Sequence, residues 1–282
     1  MRMSKTTQFA AMTLAALLAA TLISSQSLTA PVPALATLEM RDLTTEDIRN
    51  AVAGGITTVV VPTGGIEQNG PHMVLGKHDY IVGHAARNIA AELGYTLVAP
   101  VVSYVPEGDY EPATGNMRLP GTIGVPEPVF DGLLEGIARS LKAGGFKLIC
   151  FIGDHGQSQD AQKAVAERLT KAWAASGVRV AHIDAYYDDT AQNHRLLADG
   201  ETAKTIGAHA GIIDTSELLA VHPAGVDLAR DRSGGLKVPG FTRETGASGA
   251  PSLASAERGR WLIEMRIKAA VAQIRALMLA RS

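Results

Sequence analysis

The sequence predicts an α/β fold built on a mostly parallel sheet with helices on both sides. Short β-branched apolar runs alternate with longer segments of helical spacing. Each predicted strand is apolar on both faces, as a strand buried between two layers must be. Two of these strands end in polar, glycine-rich loops, where open parallel sheets bind their ligands.

Taken in order, residues 44–52 predict a short helix, with Thr44 and Asp47 at capping-box spacing. Residues 56–62 (ITTVVVP) lie between two Gly-Gly pairs and predict a buried strand. A helix follows over 79–93, stopped by Gly94, and then a strand over 96–102. Residues 105–128 are rich in Gly and Pro and predict a long loop, a feature that is often functional. Helix 129–142, strand 147–152, helix 158–175 and strand 178–183 continue the alternation. A helix fragment over 216–221 and a long closing helix over 254–281 complete it. No stretch resembles a linker between two domains.

The chain has 282 residues, 46% hydrophobic and 19% charged, enough for one globular domain with a sizeable core. A formal net charge of -2 gives no electrostatic case for nucleic acid or an anionic membrane surface. Arg2 and Lys5 precede an apolar run from Phe9 to Ile23, and a more polar stretch ends in Ala34-Leu35-Ala36. That order is the pattern of a signal peptide over 1–36, cleaved after Ala36 or, as second choice, after Ala30. No twin arginine is present, which favours general secretion to the periplasm or beyond. The alternative is an uncleaved anchor; after cleavage no stable membrane association is expected. The single cysteine, Cys150, lies in an apolar run and reads as a buried structural thiol. Trp173 and Trp261 sit in helical patterns and read as core.

The chemistry gathers in a few places. Glu67, Asn69, His72, His78 and Asp79 fall in the loop after the first strand and the start of the next helix. Asp154 and His155 follow another strand, and His209, Asp214 and His222 come later. Carboxylates and imidazoles together suit a divalent transition metal such as Zn, Mn or Fe rather than Mg or Ca alone. Three protein ligands with one open position is the catalytic arrangement. From spacing alone, a turn-forming histidine remains an equal reading.

Four segments resemble the creatininase (creatinine amidohydrolase) family. Glu67-Gln-Asn-Gly-Pro-His72-Met-Val-Leu-Gly76 is similar to its Glu-Gln-His-Gly-Pro-His-Leu-Pro-Leu-Gly-Thr-Asp motif. Leu119-Pro-Gly-Thr-Ile123 resembles its Pro-Gly-Thr segment, and Gly153-Asp-His155-Gly156 its Asn-Gly-His-Gly segment. His209-Ala-Gly-Ile-Ile-Asp214-Thr-Ser216 resembles its His-Ala-Gly-Glu-x-Glu-Thr-Ser segment. The resemblance implies a three-layer α/β/α hydrolase domain over 37–282, a homo-oligomer (often hexameric in the family), and a two-metal centre that hydrolyses non-peptide C–N bonds.

Carried over residue by residue, the family's glutamate falls on Glu67 and its strand-end histidine on His155. The bridging aspartate falls on His78, or on Asp79 with a one-residue insertion. The second-metal histidine falls on Asn69, and the second-metal glutamate on Gln157 or Ile212. These departures weaken the second site. Glu67, His78 and His155 remain a complete set, so one tight metal per chain is expected, with Asn69 and Asp79 as further candidates.

A metal-activated water would then attack a small cyclic or other non-peptide amide. His209 is the first candidate for the proton-transferring group, Asp214 the second and Asp154 the third. His72 reads as structural. Tyr104, Glu107, Tyr110 and Arg118 lie on the long loop and are assigned to substrate contact. Two other readings stand beside this one. The substrate could be a ring ketone or lactone-like sugar derivative, or the chain could be a non-catalytic metal- or ligand-binding member.

Overall fold

The computed structural model describes residues 35–231 and 246–280. The signal-peptide expectation falls, up to residue 34, outside the described residues. Among those described, four strands form one sheet in the order β2-β1-β3-β4, with every pairing parallel. The strands are β1 (Thr58–Thr63), β2 (Thr96–Val98), β3 (Leu148–Gly153) and β4 (Arg179–His182). The central pair is the most extensive, with Thr58 opposite Leu148 through to Thr63 opposite Gly153.

Alternation along these strands builds the three layers. Val59, Val61, Ile149 and Phe151 face one side. There they meet α3 (Glu127–Ala143) and α4 (Gln159–Ala172), with α1 (Thr45–Ala53) at the margin. Val60, Leu148, Cys150 and Ile152 face the other side, against α2 (Lys77–Leu93) and α8 (Ala256–Leu279). β1 and β3 are buried at every position, which is why their sequences are continuously apolar rather than alternating.

Thr44 and Asp47 form the expected capping box at the start of α1. β2 keeps only three of its seven expected residues; Pro100, which has no N–H to donate, lies just beyond it. α2 begins two residues early, at Lys77, and so carries His78 in its first turn. The final segments differ more. α7 runs from Ile212 to Val221, because Ile212 is a buried core residue and not a loop residue. Two helices not expected from sequence, α5 (Thr190–Ala198) and α6 (Ala203–Ile206), precede it. Trp173 is core, whereas Trp261 is only partly buried, with the Arg195 guanidinium 5.0 Å from its ring centre. No helix among the described residues is long and apolar enough to cross a membrane.

Candidate metal centre

The loops after β1 and β3 emerge side by side at the carboxyl end of the sheet. The β1 loop carries Glu67, α2 supplies His78 from its first turn, and the β3 loop supplies His155. All three are buried, and their ligand atoms lie within 4.8 Å of one another. Glu67 is the hub: its Oε1 is 2.6 Å from His78 Nε2 and its Oε2 is 3.1 Å from His155 Nε2. The two rings stand edge to face, 5.2 Å between centres at 89°, so their nitrogens converge instead of stacking.

Both imidazoles are pulled toward the charged state. Burial opposes the charge on His155, but hydrogen bonds to Glu107 and Glu67 outweigh it and push its pKa up to about 9. For His78, burial and the Lys77 charge oppose protonation, yet the Glu67 carboxylate and the Asp154 bond raise its pKa. Burial disfavours ionised Glu67, but the charges of His78 and Lys77 hold its carboxyl well below the usual range. An N, N, O donor set suits a divalent transition metal. Its fit shows in His78, whose Nδ1 is held by Asp154 Oδ2 at 2.7 Å, leaving Nε2 to face Glu67. Asp154 is in turn fixed by Tyr186 Oη at 3.1 Å and by Arg266 from α8.

An open cavity of about 350 Å³ gives access to these residues. Lys77, Arg118, His209 and Asp214 lie along it with the three candidate ligands. His209 Nε2 is 3.0 Å from the Gln68 carbonyl, which can only accept. The Gln68 side-chain amide nitrogen, a donor, lies 2.9 Å from the same ring nitrogen, and His209 Nδ1 is 3.7 Å from Glu67 Oε1. Burial, with the charge of Lys77, lowers the His209 pKa.

The other expected site residues have different positions. Asp154 lines the cavity too, and its oxygens are engaged by His78, Tyr186 and Arg266, which makes it an orienting group for His78. Asp214 accepts from the Ala210 N–H at 2.6 Å and pairs with Lys77 Nζ at 3.2 Å. Burial raises its pKa, but the Lys77 charge overrides this and holds it far below the usual range, so Asp214 is a poor proton acceptor. The Asn69 amide nitrogen donates to the Glu67, Val74 and Leu75 carbonyls and braces the loop, while its buried Oδ1 has no hydrogen-bond partner. Asp79 points away, accepting from Gly65 N–H and the Ser103 hydroxyl. A Cβ on Gly64 would stand 1.9 Å from Asp79 Oδ1, which is why that position is glycine.

On the long loop, Arg118 reaches the cavity, but Tyr104 and Tyr110 are half exposed and do not line it. Glu107 is fully buried beside His155 and is not a surface lid residue, because the loop folds its acid inward. His72 bonds Thr215 Oγ1 at 3.1 Å, a structural contact, and His222 stacks on Tyr80 outside the site. Sequence reasoning missed Lys77, Asn116 and Arg266. Lys77 is adjacent to His78 and opens α2, but a lysine there reads as solvated, and nothing in the chain announces that it is 1% exposed.

Fold and site together define an α/β protein whose parallel sheet delivers a buried carboxylate and two imidazoles to an open cavity. The chain belongs to the creatininase family: the family model described as creatinine amidohydrolase matches residues 41–274. It is 25% identical over 194 residues to creatinine amidohydrolase of Pseudomonas putida, covering 67% of this chain and 74% of that one. It is 28% identical over 224 residues to the mycofactocin precursor peptide peptidase of Mycobacterium tuberculosis (strain CDC 1551 / Oshkosh), covering 72% and 78%. A solved structure described as creatininase with Mn superposes with a TM-score of 0.69 at 23% identity, covering 85% of this chain and 98% of that one. Another, described as a Zn-Zn type creatininase mutant, gives the same score, identity and coverage.

Proposed function

We propose that this protein is a metal-dependent hydrolase that cleaves the C–N bond of a small amide, a cyclic one by preference. The convergence of Glu67, His78 and His155 on one point of an open cavity carries this reading. A divalent transition cation held by these three would supply Lewis-acid polarisation and a water activated near neutral pH. His209, beside Glu67 and on the cavity wall, would take the proton of the attacking water and return it to the leaving nitrogen. Lys77 and Arg118 give the cavity positive charge for a carbonyl oxygen or a carboxylate product. The loop brace by Asn69 and the Asp154 bond behind His78 hold the two β1-side groups in register.

One cation per chain is our reading of the stoichiometry. Position 69 offers an amide where the family pattern has an imidazole, and position 157 offers an amide where a carboxylate would be needed. The Lys77 ammonium already sits between Glu67 and Asp214, supplying the positive charge a second ion would bring. The Arg2-to-Ala36 pattern supports export of the mature chain from the cytoplasm.

The test is an assay of chelator-stripped protein on a panel of lactams, cyclic imides, N-acyl amines and sugar lactones. Turnover on amides that returns with Mn or Zn, and is absent in His155→Ala, is expected. A protein that binds metal but turns over nothing in the panel would be a non-catalytic family member.

A further inference from the structure

Three cationic side chains besides the histidines line the cavity, and two of them are already answered. Lys77 faces Glu67 and Asp214, and Arg266 faces Asp154 and Glu217. Arg118 lines the same cavity, yet among the described residues its guanidinium has neither an ion pair nor a hydrogen bond. Its place is fixed all the same. It ends the short turn Gly115–Arg118, and that turn is anchored by Asn116, whose amide donates to Glu67 and, at 3.0 Å, to Glu107.

Two neutral donors join it. A Cβ on Gly115 would lie 3.1 Å from Gln157 Nε2, so the Gln157 amide rests against the turn that carries Arg118. A Cβ on Gly156 would lie 2.7 Å from Tyr187 Oη, so the phenol lies close over the residue that follows His155. Gln157 and Tyr187 both line the cavity, and among the described residues neither side chain has a hydrogen-bond partner. Burial and the charges of Asp214 and Asp154 push the Tyr187 phenol up to about 12, so it stays a donor at neutral pH. Position 157 has an amide where the family pattern has a carboxylate, which exchanges an acceptor for a donor. Asp189 also lines the cavity without a cation partner among the described residues, one acid against these three donors. Donors gathered in a cavity with no acceptor of their own are satisfied by water or by the oxygens of a ligand. The planar guanidinium fork matches a carboxylate with two parallel hydrogen bonds.

We propose that Arg118, Gln157 and Tyr187 form a carboxylate-binding subsite, so that the amide cleaved by this protein carries a carboxylate, as a lactam carboxylate or an N-acyl amino acid does. The assignment rests on the hydrolase reading. The subsite adjoins the metal centre in the chain itself, because Gly156 and Gln157 directly follow His155. A compact molecule can therefore place its acid on Arg118 and its amide at the centre.

The experiment measures, by calorimetry on the Mn-loaded protein, the binding of pyroglutamate against pyrrolidinone and of N-acetylglycine against N-methylacetamide. Each acid is expected to bind about 10- to 100-fold more tightly than its uncharged partner. Arg118→Met should abolish that preference, and Tyr187→Phe should reduce it about 3- to 10-fold, with Mn affinity measured in each variant as the control for an intact centre. Equal binding of acid and uncharged probe by wild type overturns the subsite. So does a preference that survives Arg118→Met, because the acid is then held by the cation alone. In either case, turnover of uncharged amides leaves the hydrolase reading standing. A preference for the acids that Arg118→Met removes, with no amide turned over, keeps the subsite as a ligand site and removes hydrolysis.

Discussion

His78 Nδ1 and Asp154 Oδ2 stand 2.7 Å apart, so the carboxylate fixes the imidazole from behind while its other nitrogen faces Glu67. The bond sets which nitrogen is available and raises the ring's basicity toward a cation. Asp154→Asn is therefore expected to keep the fold and lower metal affinity by about 10- to 100-fold. Competition against a chelator of known affinity measures it. Unchanged affinity would mean that Asp154 has no part in orienting the ring.

Lys77 is a buried ammonium with two carboxylate neighbours, Asp214 at 3.2 Å and Glu67 at 3.5 Å. Removing one partner of such a pair leaves the others charged in a dry place. Lys77→Met is expected to lower stability by about 3–5 kcal/mol in urea unfolding. Adding Asp214→Asn should recover part of the loss, because it removes one of the stranded charges. A double variant no better than the single would sink the pairing.

Glu217 supplies a pH signature. Burial, reinforced by the negative charges of Asp154 and Asp214, pushes its pKa from an ordinary 4.5 up to about 7, against Arg266 and a bond from Gln192. Between those values the folded protein holds a proton that the unfolded chain has released. Stability from this group is therefore complete below pH 4.5 and is lost as pH rises to 7, with a slope on the order of 1 kcal/mol per pH unit. Glu217→Gln should remove that component. The check is the difference between wild-type and variant unfolding free energies at several pH values, and parallel curves would refute it.

Gly259 lets α8 approach α7 at backbone distance. A Cβ there would fall 1.8 Å from the Ser216 carbonyl, which no side-chain rotation can relieve. Gly259→Ala is expected to cost at least about 3 kcal/mol, at the upper end of overpacking penalties, and to loosen the neighbouring Asp214 and Arg266. Thermal melts, with metal uptake at 25 °C as a second readout, test both halves of that expectation.

Much of the fold was legible in the sequence because its strands are buried on both faces. Continuous runs such as residues 58–61 and 148–152 have few alternatives to a parallel sheet core. Glu67, His78 and His155 were legible as chemistry in strand-end loops. What was hidden depends on contacts between residues far apart in sequence. Arg266 reads as one of several arginines on a mixed helix, and only the packing of α8 reveals its aim at Asp154, 112 positions earlier. Glu107 reads as a substrate-contact residue on a polar loop, and its burial depends on close approaches at Gly65, Gly115 and Gly124 that sequence spacing cannot show. α5 and α6 are only nine and four residues long, and helices so short are fixed by what they lie against.

The three candidate ligands are all present once residue 155 has been translated, yet the group that steadies Asp154 arrives on α8, more than a hundred residues later. A ribosome-tethered fragment would thus display the donors without the scaffold that aims them. Whatever Asp154 contributes to the aim of His78 therefore waits on the last helix of the chain.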